Sequence, residues 1–401
     1  MTNRELFYAT MAGENGGDLL HFEQGFNVPY KKWYSQGMPA HVVSAGDKLS
    51  EYENLHDHFN VSGLLSASPN INYFCFPHYD SKLLDDDGTR ITYKDGNGNT
   101  FRELHDSVKQ KGEDGSSVGS PPYEVDFAIK NRKDYFAARD RYIGNIDSRY
   151  DEQSLIKSAE KMKGQNDFIS SLFVHGPYAY LRVLIGTEEA MAAPYEDRQW
   201  VLTMLRDHLE TCMGITEKIA AHYRFDASFV WEDCCGKTGP FISPLLFDDV
   251  FAWWYKEWKD FTKSIGVPYT ILDTDGNPSP LVRQWYESGI DVMLPWEVNG
   301  VDMLKFAEEF PKYRMIGGIY KHMFEPNDPS QVGRFATTDV YEAIDLELKR
   351  VVAPMRKRGY YVAALDHGAH HAIEYPAYKY YCEKMYEYGK KNVVTRTFKK
   401  G

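Results

Sequence analysis

Residues 251–277, FAWWYKEWKDFTKSIGVPYTILDTDGN, contain the pattern that decides the fold. Apolar residues recur at spacings of three and four from Phe251 to Ile265, which predicts a helix with one buried face. Gly266 is expected to end that helix. The apolar run Tyr269–Leu272 then predicts a buried strand, and an acidic turn follows it. A helix followed by a buried strand is the building unit of an α/β protein.

The same unit recurs along the chain. Helical stripes are also predicted at Val201–Cys212 and at Val340–Val351, the second with Asp339 and Glu342 near its start. The predicted strands are Leu19–Phe26, Ile71–Phe76, Ser171–Val174, Ala227–Trp231, Tyr269–Leu272, Val292–Pro295, Arg314–Ile319 and Tyr361–Leu365. Eight such strands, most of them followed by a helix, predict an α/β fold of the (β/α)8 TIM barrel type. An open doubly wound sheet is the alternative, but no G-x-G-x-x-G motif supports a dinucleotide site.

We expect one barrel domain over residues 1–401, with an inserted β-rich subdomain at about 80–125. Turn signals at 85–88, 95–99 and 112–117 predict the hairpins of this N-terminal insertion.

Composition excludes several classes of protein. The net charge of −12 argues against nucleic-acid binding, which needs a basic face. No apolar run is long enough to span a membrane, and the N-terminus lacks an apolar signal region, so we expect a cytoplasmic protein. Five scattered cysteines indicate no disulfide framework.

Acidic residues and histidines follow five of the predicted strands. They are Glu232 and Asp233, Asp273 and Asp275, Glu297, His322, and Asp366, His367, His370 and His371. In a parallel barrel these strand ends open on one face, where the active site lies. Carboxylates that crowd together repel one another, so at least one of them should have a raised pKa, or several should share a cation. Two chemistries therefore stay open, namely proton donation to a leaving oxygen and Lewis-acid catalysis by a divalent metal.

Several of these residues also have a structural alternative. Asp273 and Asp275 could form an Asx turn, and Glu232 and Glu297 could pair with Lys or Arg. His370 and His371 are expected to face solvent or to support a ligand rather than to bind one.

Six short motifs, in this order, resemble the uroporphyrinogen decarboxylase superfamily over nearly the whole chain. They are Asn3-Arg4-Glu5, Gly239–Pro244, Leu272–Asn277, Gly289-Ile290-Asp291, Gly317-Gly318-Ile319 and Asp366-His367-Gly368. The resemblance implies a (β/α)8 barrel. True decarboxylases carry an early Arg-rich segment, whereas His21–Phe26 here has no arginine. The chain is therefore not expected to act on a porphyrinogen.

Two further branches of the superfamily differ in their ligands. In the thiol methyltransferases, zinc is held by a His-x-Cys pair and a later Cys, which align with Asp273, Asp275 and His367 here. Oxygen and nitrogen ligands thus replace the thiolates, so the ligand set is hard and is not expected to activate a thiol. The acidic turn, the strand end Trp231-Glu232-Asp233 and Glu297 instead resemble the corrinoid-dependent substrate methyltransferases of anaerobic bacteria, the O-demethylase type.

This closest branch implies a methyltransferase that takes a methyl group from a small methylated substrate, an aryl methyl ether in first place. The acceptor is the cobalt(I) of a corrinoid, a cobalamin-type cofactor carried by a partner protein. The expected catalytic residues are Glu232, Asp275, Glu297 and His367. Asp273, Asp275 and His367 are the expected ligands of a metal such as zinc.

The aromatic residues that flank strand ends are the expected pocket walls: Tyr30, Trp33, Phe76, Trp231, Trp296 and Tyr320. One alternative is a decarboxylase of a smaller acid, with Lys321 and Arg314 as its carboxylate clamp. A non-catalytic metabolite-binding barrel is the other. The oligomeric state is left open, with a homodimer among the options.

Overall fold

The computed structural model describes residues 1–28, 30–42, 48–66, 71–105, 110–111, 117–118, 122–162, 168–331 and 334–389. The chain forms two compact units. Unit 1 comprises Met1–Leu64, Asn166–Ile169 and Val292–Gly401, and unit 2 comprises Leu65–Gln165 and Ser170–Asp291.

The helices and strands are numbered in chain order. The α-helices are α1 (Asn3–Ala12), α2 (Tyr30–Ser35), α3 (Lys48–Phe59), α4 (Arg132–Ala138), α5 (Asp140–Ile143), α6 (Glu152–Met162), α7 (Pro177–Ile185), α8 (Thr187–Glu196), α9 (Arg198–Ala220), α10 (Pro244–Leu246), α11 (Ala252–Ser264), α12 (Val282–Glu287), α13 (Met303–Glu309), α14 (Val340–Arg358) and α15 (Tyr375–Gly389). The strands are β1 (Leu64–Ser66), β2 (Lys82–Asp86), β3 (Arg90–Lys94), β4 (Thr100–Leu104), β5 (Gln110–Lys111), β6 (Ser117–Val118), β7 (Tyr123–Asp126), β8 (Ile169–His175), β9 (Ala227–Trp231), β10 (Cys235–Gly236), β11 (Gly239–Pro240), β12 (Tyr269–Asp273), β13 (Val292–Leu294), β14 (Arg314–Ile319) and β15 (Tyr361–Leu365).

Unit 1 contains the parallel strands β13, β14 and β15. Gly317 of β14 pairs with Ala363 of β15, and all five residues of β15 are buried. Burial on both faces explains why this strand is a continuous apolar run in the sequence. The N-terminal segment lies beside β15, because the Phe22 N–H donates to the Ala363 carbonyl at 2.8 Å. Asp339 caps the N-terminus of helix α14, because its carboxylate accepts the Glu342 N–H at 2.9 Å.

Unit 2 contains the parallel strands β8, β9 and β12, in which Ala227 of β9 pairs with Ser171 on one side and Tyr269 on the other. Helix α9, of 23 residues, and helix α11 follow β8 and β9 in the chain. Helix α11 ends as predicted, because Gly266 adopts a φ of +83°, which favours glycine. A π-helical turn, Phe247–Phe251, precedes α11.

The N-terminal insertion of unit 2 is an antiparallel sheet with the strand order β2-β3-β4-β7. Aspartate side chains build its turns. Asp87 accepts the backbone N–H groups of Thr89 and Arg90, and Asp95 accepts those of Asn97 and Asn99. The turn signal predicted at 112–117 lies outside the described residues except for Ser117.

Parallel strands alternate with helices in both units, which confirms the predicted α/β barrel class with its hairpin-rich insertion. Among the described helices, none has both the length and the apolar character needed to cross a membrane.

The structure corrects two of the predicted strands. The segment Leu19–Phe26 makes isolated parallel bridges rather than a continuous ladder. The segment Ile71–Phe76 is not a strand, because Asn72 bonds locally to the Phe74 N–H and the Cys75 carbonyl. The Arg149 guanidinium also donates a hydrogen bond to the Phe74 carbonyl at 3.3 Å. These bonds occupy backbone groups that a strand would need for pairing. The strand that lies beside β8 is β1 instead.

Candidate functional site

A tight turn after β13 places Glu297 of unit 1. Trp296, the residue before it, has a φ of +60°, which is uncommon for a bulky side chain. Its indole N–H donates back to the Met293 carbonyl at 2.8 Å, and its ring is fully buried. This turn leaves the Glu297 side chain 28% exposed. Trp296 therefore anchors the turn from the core and is not a pocket wall in this structure.

Asp366, directly after β15, connects three loops of unit 1. One carboxylate oxygen accepts the Val298 N–H at 3.0 Å, and the other accepts the Lys321 N–H at 2.9 Å. The side chain is 3% exposed. Burial raises the pKa of Asp366, and the two backbone hydrogen bonds partly offset that effect. Asp366 thus fixes the loops that carry Glu297 and His367.

Glu297 and His367 form a carboxylate–imidazole pair. The His367 Nδ1 lies 3.3 Å from a Glu297 carboxylate oxygen and 2.8 Å from the Asp366 carbonyl oxygen. A carbonyl oxygen only accepts, so Nδ1 carries the hydrogen. Nε2 is then the nitrogen that can exchange a proton with a ligand. The His367 side chain is 36% exposed, so solvent and small molecules can reach it.

Of the two positions expected for His370, facing solvent or supporting a ligand, the structure excludes the first. Its side chain is 17% exposed, and its Nε2 lies 3.5 Å from a Glu325 carboxylate oxygen. His322 contacts the same oxygen through Nδ1, at 3.1 Å. His371, in contrast, is exposed as predicted. The cluster of His322, Glu325 and His370, all in unit 1, follows β14 and β15.

Sequence reasoning missed Glu325 and gave Asp366 no specific role. The spacing His322-x-x-Glu325 directly after a predicted strand was a usable signal, because residues three apart share one face of a helical turn. No comparable signal identified Asp366, because its partners lie 45 and 68 residues away in the chain.

Glu232 of unit 2 lies at the N-terminus of α7. One carboxylate oxygen accepts the Tyr178 N–H at 3.0 Å, which caps a helix end that would otherwise keep a free donor. A side chain at Gly176 would overlap Glu232. Burial raises the pKa of Glu232 to about 8. Glu232 is 1% exposed, so in this structure it caps α7 and is closed to solvent.

We expect Glu232→Gln to remove a pH dependence of stability. The folded chain keeps a proton that the unfolded chain releases near pH 4.5, so the free energy of unfolding falls as pH rises from about 4.5 to 8. The glutamine side chain does not titrate, so this fall in the free energy of unfolding is absent from the variant. Urea unfolding measures the free energy of unfolding at pH 5 and at pH 9. The difference between the variant and the natural protein should shift by roughly 2–4 kcal/mol in favour of the variant from pH 5 to pH 9. Glu188→Gln, at an exposed position, is the control, and parallel pH curves for all three proteins would contradict the expectation.

The acidic turn after β12 is closely packed within unit 2. The Asp275 N–H donates to an Asp233 carboxylate oxygen at 3.4 Å, and the Asp273 carbonyl accepts the Glu232 N–H at 2.9 Å. Gly276 has a φ of +76°, and a Cβ there would lie 2.6 Å from the Cys235 carbonyl oxygen. Only glycine fits this position without a backbone shift.

The predicted metal ligands belong to different units. Asp273 and Asp275 lie in unit 2 and His367 lies in unit 1, so this ligand set stays a prediction. Two carboxylates and an imidazole are donors that suit zinc and similar divalent ions.

The predicted wall residues divide by burial. Tyr30, Phe76 and Trp231 are half-buried. Trp33 is fully buried and donates to the Ile373 carbonyl, so it belongs to the core. Tyr320 is 1% exposed, and the Arg334 guanidinium lies 3.8 Å from the centre of its ring. Arg334 therefore covers one face of the Tyr320 ring.

No protein-family model and no curated protein matches this sequence. Solved structures do match it. One of them, a methyltransferase from Methanosarcina mazei, aligns with a TM-score of 0.62 and 12% sequence identity, over 97% of this chain and 99% of that chain. At this identity the likeness shows a common fold that extends over nearly the whole chain.

Proposed function

We propose that this chain is a methyltransferase that takes a methyl group from a small methylated substrate. The preferred candidate for that substrate is an aryl methyl ether. The acceptor we propose is the cobalt(I) of a corrinoid carried by a partner protein. The observation that carries the proposal is the pair of Glu297 and His367, which lies where two parallel strands end. The fold shared with a solved methyltransferase is consistent with it.

The chemical difficulty is the leaving group, because a phenolate or alkoxide departs poorly at neutral pH. In the proposed reaction the C–O bond breaks, and its electron pair stays on the ether oxygen. That oxygen takes a proton from Nε2 of protonated His367. The methyl carbon bonds to the acceptor, which supplies the electron pair of the new bond.

Glu297 and Asp366 act on His367 in this proposal. Glu297 stabilises the protonated ring through Nδ1, as a carboxylate does in other acid–base pairs. The Asp366 carbonyl fixes the ring orientation. A zinc ion bound by Asp273, Asp275 and His367 would supply Lewis acidity instead, and their donor atoms suit it. Metal content and turnover measured together decide between the two: full turnover by metal-free protein would exclude the zinc route.

The decarboxylase alternative loses one of its two candidate cations. Arg314 starts β14, at the strand end opposite the one that leads to Tyr320 and Lys321. Its Nε donates to the Met11 carbonyl at 2.6 Å. A carboxylate clamp that pairs Arg314 with Lys321 is therefore disfavoured, because the two residues lie at opposite ends of β14.

The test mixes the full-length protein with cob(I)alamin and, separately, methoxyarenes, methylamines and methyl thioethers. We expect the absorption spectrum of the methylated corrinoid to appear with a methoxyarene and to depend on the protein. The same mixture without protein is the control. No protein-dependent signal with any of the three classes would refute the proposal.

A further inference from the structure

We propose that His322, Glu325 and His370 form a binding site for a divalent transition-metal ion of the zinc type. The three ligand atoms lie within 4.8 Å of one another, and all three residues belong to unit 1. Two imidazoles and one carboxylate form a ligand set that zinc enzymes use when a further coordination position stays open.

The distances suit a single ion. Zinc binds these donors at about 2.0–2.2 Å, so tetrahedral ligand atoms lie about 3.3–3.5 Å apart. The observed separations from the shared Glu325 oxygen are 3.1 Å to His322 Nδ1 and 3.5 Å to His370 Nε2. Small side-chain movements therefore suffice to accommodate an ion.

The buried nitrogen of His370 is the second observation. Its Nε2 has no hydrogen-bond partner in the described part of the chain, although buried polar atoms are normally paired. The nitrogen lies 3.5 Å from a Glu325 carboxylate oxygen, a separation that suits two ligands of one ion.

The backbone holds the ligands in place. His322 lies in the 3₁₀ turn Lys321–Phe324, and the Glu325 N–H donates to the His322 carbonyl at 3.1 Å. Asp366 connects this turn to the loop that carries His370, through the Lys321 N–H. The His322 and Glu325 side chains are 31% and 26% exposed, which leaves room for a water molecule or a small ligand as the fourth ligand. This site is independent of the proposed methyl transfer.

The experiment titrates Zn²⁺ and Co²⁺ into chelator-treated full-length protein, with calorimetry for zinc and the visible spectrum for cobalt. We expect the protein to bind one equivalent of metal ion through His370. The variant His370→Ala should bind that ion at least about 100-fold more weakly. His371→Ala, at the exposed neighbouring position, should bind as the natural protein does. Glu325→Gln serves as a second, isosteric variant, and circular dichroism checks that each variant is folded.

Three results would overturn this site. The natural protein could fail to bind either metal, or His370→Ala and Glu325→Gln could bind as tightly as the natural protein does. Binding lost in His367→Ala but retained in His370→Ala would assign the metal to the other predicted ligand set.

Discussion

Glu297→Gln should lower the rate of methyl transfer by about 10²- to 10³-fold while the protein stays folded. The reason is that the amide cannot stabilise a protonated His367 ring, and a positioned acid contributes about 10²–10⁴-fold to such reactions. His367→Ala should lose at least as much activity. Stopped-flow spectroscopy of the corrinoid measures both rates under saturating substrate.

The double variant distinguishes a functional pair from two separate contributions. If Glu297 acts only through His367, Glu297→Gln combined with His367→Ala should be no slower than His367→Ala alone. Glu374→Gln makes the same chemical change in unit 1 at a side chain that is 58% exposed, and it should leave the rate unchanged. Multiplicative losses in the double variant, or a loss below about threefold in Glu297→Gln, would remove the pair from the mechanism.

Gly317→Ala should destabilise the protein by about 4 kcal/mol or more, among the largest effects that one methyl group can cause. Gly317 lies in β14 with a φ of +114°, and its Cβ would overlap the Pro295 carbonyl oxygen. That carbonyl accepts the Gly318 N–H at 2.9 Å, so it cannot move away without breaking the bond that joins the turn after β13 to β14. Urea unfolding followed by circular dichroism measures the change.

Gly266→Ala is the matched control for Gly317→Ala. Gly266 also has a positive φ, +83°, but within the described ranges no atom beyond its chain neighbours lies within 4 Å of the position that a Cβ would take. Its substitution should therefore cost only the backbone strain, about 1–2 kcal/mol. Equal losses at the two glycines would show that the overlap with Pro295 adds nothing.

The sequence predicted the second half of the fold well because its strands are buried on both faces. A strand such as Tyr361–Leu365 has no polar face, so its bounds follow directly from the apolar run. The run Ile71–Phe76 is also mostly apolar but is not a strand. Side-chain hydrogen bonds from Asn72 and from the distant Arg149 determine its conformation, and composition carries no record of them.

The candidate site was predictable in part. The rule that functional residues follow parallel strands identified Glu297 and His367, which the structure brings together. It also selected Glu232, whose side chain turns to the α7 backbone instead. The direction of a side chain after a strand depends on loop contacts such as those of Asp366. These contacts join residues far apart in the chain, so no local pattern reveals them.

The two hydrogen bonds of Asp366 have a consequence for protein engineering. They hold the amides of Val298 and Lys321 at fixed positions, so we expect neither loop to tolerate an insertion or a deletion before that amide. Libraries that vary loop length here should yield few folded members. Changes of substrate preference should instead come from point substitutions of side chains, with the backbone path conserved.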